Sequence, residues 1–67
     1  MSTELQPHQE RVVKEKEELD VKLQALRAFI QTDFFRGLDE AERLRLRKQE
    51  GFMSGYSDVL GERIAAF

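Results

Sequence analysis

Apolar residues return along the first half of the chain at helical spacing. Val12, Leu19, Leu23, Leu26 and Ile30 follow one another at steps of seven, four, three and four. Such steps place side chains on one face of an α-helix, and Lys16 occupies the one heptad core slot left open. Gln6-Pro7-His8 precedes this seam. Proline's fixed φ and missing N–H suit a first helical turn, so helix 1 is expected over about residues 7–31. The pattern lapses over residues 31–38, where Thr32 or Asp33 is placed to cap a single turn and Gly37 to permit a backbone reversal. Residues 32–38 therefore read as a connection. Asp39, with Glu42 three residues later, has the spacing of a helix start in which the Asp side chain caps the free amides and Glu42 favours the positive dipole end. Helix 2 is expected over about 39–66, with Leu44, Phe52, Tyr56, Val59, Leu60, Ile64 and Phe67 as a broad apolar stripe.

Helices of these lengths span roughly 35 to 42 Å each at 1.5 Å per residue, so they match as an antiparallel hairpin. The fold class is all-α, one domain over 1–67, with a packing core of Val12, Leu19, Leu23, Leu26, Ile30, Leu44, Phe52, Val59, Leu60 and Ile64. One helix–helix contact cannot cover all of these, and an end such as Ile64-Ala65-Ala66-Phe67 would stay exposed in a lone hairpin. A 67-residue chain also buries too little apolar surface for a wide stability margin. With no cysteine and a single histidine, His8, neither a disulfide nor a conventional zinc site can be built within one copy. Oligomerisation is what remains: the hairpin is expected to assemble into a homo-oligomeric helical bundle, a homodimer being the simplest form. Gly51, Gly55 and Gly61 interrupt helix 2, each at about 1 kcal/mol relative to alanine. Gly51 and Gly55 with Ser54 between them leave three readings open: close approach of another helix, a ligand-facing groove, or a local kink.

Charged residues are abundant but the net charge is only -2, so the signs are mixed and no global field favours nucleic acid or an anionic membrane. No apolar run nears the roughly 20 residues of a membrane span, and Met1–Glu4 lack the basic and apolar regions of a leader, so a soluble, unprocessed chain is expected. The serines have no neighbouring base in the sequence, which argues against a nucleophilic enzyme. The carboxylates alternate with lysines and arginines as on a solvated helix face, and His8 precedes the helical glutamates, so no Glu-x-x-His metal pattern forms. Neither a metal nor a cofactor is expected.

The candidates for ligand contact are therefore aromatic and cationic pairs. Phe34 and Phe35 sit together in the connection, either as a plug over the hairpin core or, with Arg36, as a stacking face beside a phosphate-binding guanidinium. Tyr56 and Arg63, seven residues apart, share a helical face and repeat the arrangement. His8 reads as a surface residue that reaches a ligand only in an oligomer. The run Arg43-Leu44-Arg45-Leu46-Arg47-Lys48 either faces solvent among Glu40, Glu42 and Glu50 or holds phosphates or acidic protein. Lys16 either extends its ammonium into water or meets an acidic residue of another helix.

The tail Tyr56-Ser57-Asp58-Val59-Leu60-Gly61-Glu62-Arg63-Ile64 and the opening from Pro7 to Asp20 resemble a family of small proteins of tailed phages and prophages, related to an uncharacterised crAss-like phage protein. The resemblance spans nearly the whole chain and implies phage origin and expression in the bacterial host cytoplasm, without implying an activity. In size and helical layout the chain is also similar to phage sponges that hold nucleotide immune signals between subunits. The first expectation is thus a non-catalytic, anti-defence oligomeric binder of a nucleotide-type ligand. The alternatives are a helical module that binds a host or phage protein, and a structural phage protein.

Overall fold

The computed structural model describes residues 5–67; the reading of Met1–Glu4 concerns residues outside that range. Three helices follow in order, α1 over Pro7–Ile30, α2 over Asp33–Arg36 and α3 over Glu40–Ala65. Pro7 stands in the first turn of α1, and the Gln6 N–H donates to Gln9 Oε1 at 2.8 Å, which closes the helix start. α1 and α3 pack on each other along their length in a rod of 54 × 15 × 14 Å. A body only about two helices wide has a single seam.

α2 is the turn itself. The Phe35 N–H donates to Thr32 Oγ1 at 3.2 Å, so Thr32 rather than Asp33 is the cap. Gly37 has φ -82 and ψ -8, an ordinary right-handed conformation, so the reversal does not use glycine's freedom as the sequence suggests. The helical turn of α2 makes the reversal instead, and it drives Phe35 under the end of the hairpin. Asp39 sits at the α3 N-cap position with extended backbone, yet its side chain makes no capping hydrogen bond.

Among the described residues the buried apolar set is small: Val12, Leu23, Phe35 and Leu60. Leu19, Leu26, Ile30, Leu46, Met53 and Ile64 flank the seam half-buried. Leu44, Phe52 and Val59, expected in the core, are instead 60%, 72% and 51% exposed. Helical phase explains the correction, because at 100° per residue these three lie on the side of α3 opposite Leu46, Met53, Leu60 and Ile64. Phe35 is 2% exposed and makes an edge contact with Phe29, their ring centroids 6.1 Å apart. With so few buried side chains, removing this ring should cost about 3–5 kcal/mol, a large share of what a small domain has. We expect Phe35→Ala to abolish the cooperative thermal transition followed by circular dichroism, whereas Phe34→Ala, at an exposed ring, should leave it nearly unchanged.

Candidate functional site

Two polar arrangements cross the seam. Midway along it, the Lys16 ammonium donates to Ser57 Oγ at 2.7 Å and to Asp20 Oδ2 at 3.0 Å, while the Ser57 hydroxyl donates to Asp20 Oδ1 at 2.5 Å. Lys16 therefore meets an acid of its own helix and a buried serine of α3. A Cβ at Gly61 would stand 3.5 Å from Lys16 Cε, an ordinary van der Waals contact, so the arrangement does not require glycine there. The Ser57 hydrogen bond and then that from Lys16 hold the Asp20 carboxyl below its ordinary value, against the opposing effect of burial. A carboxylate stabilised in this way is a weak base, so the closed triangle works as a clasp between helices. Its contribution is complete above the unfolded pKa and is lost as pH falls through the lowered folded value. Asp20→Asn should thus melt below wild type at pH 6 and 7, with the gap closing below about pH 3.8. A gap that stays constant with pH would show that the carboxylate charge is irrelevant.

Nearer the connection, three arginines converge. Arg27 of α1 donates through Nε to Glu50 at 2.7 Å and through a terminal nitrogen to Ser54 at 3.1 Å. Arg47 lies over the Phe35 ring, its guanidinium carbon 5.2 Å from the centroid. Arg43 stands one turn before it on α3. Its Nε is buried and has no hydrogen-bond partner. Among the described residues, neither Arg43 nor Arg47 has a carboxylate within ion-pair distance. A hollow of about 350 Å³ is lined by Arg27, Ile30, Gln31, Arg47 and Glu50. A neighbouring one of about 210 Å³ is lined by Glu40, Arg43, Leu44 and Arg47. Arg47 is common to both. Three cations and two carboxylates line these hollows, and with Glu50 paired to Arg27 the guanidiniums of Arg43 and Arg47 are left without a carboxylate partner among the described residues.

The residues singled out from the sequence are distributed around this region. Phe35 is the plug beneath Arg47. Phe34 is 71% exposed beside Phe29, ring centroids 5.8 Å apart. Arg36 is turned back on Asp33 in an exposed ion pair. Tyr56 and Arg63 are exposed on α3, and Tyr56 lies about 14 Å along the helix axis beyond Arg47. His8 is exposed at the opposite end of the hairpin from the connection. One copy therefore does not bring the two aromatic–cation pairs together. Arg27 gave no separate sequence signal, and its role follows from the antiparallel register that sets it against Glu50. No group of acidic or histidine side chains able to hold a metal occurs among the described residues, and no helix there is long and apolar enough to cross a membrane.

A family model described as Sequestin matches residues 6–66, nearly the whole chain, and the chain belongs to that family. Neither curated proteins nor solved structures give a match.

Proposed function

From the premise of a Sequestin-family chain, we propose a non-catalytic binding protein that sequesters a nucleotide-type anion. In this reading it is phage-encoded, works as a homo-oligomer in the bacterial host cytoplasm and counteracts an antiviral signal. The family's name is compatible with a sequestering role. The observation that carries the ligand class is the pair Arg43 and Arg47, two guanidiniums one turn apart without carboxylate partners among the described residues; Arg47 lines two neighbouring hollows, one with Arg27, Gln31 and Glu50 and the other with Arg43 and Glu40. A phosphate takes two such forks in the geometry that a point charge such as lysine cannot reproduce. Exposed Phe34 offers a neighbouring aromatic surface on the connection. The non-catalytic part rests on Ser57, whose hydroxyl proton is committed to a carboxylate of lowered basicity while the adjacent Lys16 ammonium donates to both groups.

Calorimetric titration with a panel of linear and cyclic mono- and dinucleotides tests this reading. At least one should bind, and Arg43→Ala or Arg47→Ala should each weaken it by about 10- to 100-fold, the range for losing a charge-assisted hydrogen bond, with helicity retained. If Arg63→Ala removes binding and the other two do not, the ligand sits on the Tyr56–Arg63 face. If no nucleotide binds, the proposal fails.

A further inference from the structure

Two glycines of α3 have no use within the chain. A Cβ on Gly51 or Gly55 would meet nothing within 4 Å, and the helix runs unbroken through both. Neither packing against α1 nor a kink accounts for them, yet an exposed glycine in a helix interior costs about 1 kcal/mol against alanine. By helical phase they share the outward side of α3 with Leu44, Lys48, Phe52, Val59 and Glu62. The outward side of α1 is different: Lys14, Glu17, Glu18 and Lys22 surround Val21 and dress that face for water. Only α3 turns both exposed apolar side chains and bare backbone outward.

We infer that this face receives a second copy of the chain, α3 against α3, antiparallel about a two-fold axis at Gly55. The residues are self-complementary about that point. Phe52 lies three positions before Gly55 and Val59 four after it, on the same flank, so Phe52 of each copy packs on Val59 of the other. Lys48 lies seven before and Glu62 seven after. Neither is ion-paired among the described residues, and each meets its opposite in the other copy, closing both ends. Gly55 faces Gly55 where the backbones cross, and each contact occurs twice, as a two-fold interface requires. Parallel pairing would instead set Lys48 against Lys48. The 26-residue helix offers a strip roughly 39 Å long and 10–12 Å wide, and with side-chain relief this approaches the ~600–800 Å² per partner of specific interfaces. The inference deepens the oligomer part of the proposal above and does not depend on its ligand.

The test is native mass spectrometry and sedimentation of the full chain without ligand. Wild type should run at twice the 7.9 kDa chain mass or an even multiple of it. Lys48→Glu and Glu62→Lys should each weaken self-association by about tenfold or more, because two attractive pairs become repulsive. The double exchange should restore it. Gly55→Leu should dissociate the pair while raising the helicity of the single chain, which separates lost docking from lost folding. A wild-type monomer at high concentration, or an oligomer unaffected by both single charge reversals, would overturn the inference. Self-association without nucleotide binding would leave it standing and sink the ligand reading alone.

Discussion

A two-helix hairpin has one seam, and everything else in this molecule answers to that constraint. A four-helix bundle hides each helix on two sides, whereas here α1 can cover α3 on one side only. Among the described residues, Val12, Leu23, Leu60 and the plug Phe35 are the apolar side chains that the fold buries. Stability of so thin a core depends on its ends and on polar groups that lock the register. α2 supplies one end by carrying Phe35 under Phe29, and the Lys16–Ser57–Asp20 clasp fixes the middle.

The same constraint shapes the surface that is left over. Because α1 engages α3 through Arg27 and Glu50 near the connection, Glu50 is no longer free to neutralise the arginines one and two turns before it. Arg47 settles on Phe35 and Arg43 keeps an unsatisfied Nε, so the structural plug and the candidate anion site are parts of one assembly. On the far side of α3 the apolar residues that the seam cannot accommodate are gathered with glycines, and α1 leaves that face uncovered.

Much of this architecture is legible in the sequence. Seven-residue and three-four steps place α1, Pro7 marks its start, and Thr32 with the two phenylalanines marks the turn. The phase of α3 is not legible in the same way, because that helix carries two apolar stripes. One passes through Leu46, Met53, Leu60 and Ile64, the other through Leu44, Phe52 and Val59, and periodicity alone cannot say which meets α1. The seam-facing stripe is disguised by Glu50 and Ser57, polar residues that lie there to bind Arg27 and Lys16. Lys16 in a heptad core slot is the one sequence signal of such a partner. The basic run 43–48 is likewise ambiguous: Arg45 pairs with Glu42 as a solvated face would, while Arg47 lies over Phe35 of the connection and Arg43 shares a hollow with it. Only the tertiary register separates them.

The proposed anion site at Arg43 and Arg47 can be observed directly. The most direct measurement is the nitrogen–proton NMR spectrum of the arginine Nε–H groups during titration with inorganic phosphate and then with a cyclic dinucleotide. Saturable shifts of the Arg43 and Arg47 signals are expected, tighter for the nucleotide, with Arg45 unmoved. Signals of Arg43 and Arg47 that stay in place while Arg63 shifts, or that drift without saturation, would contradict it.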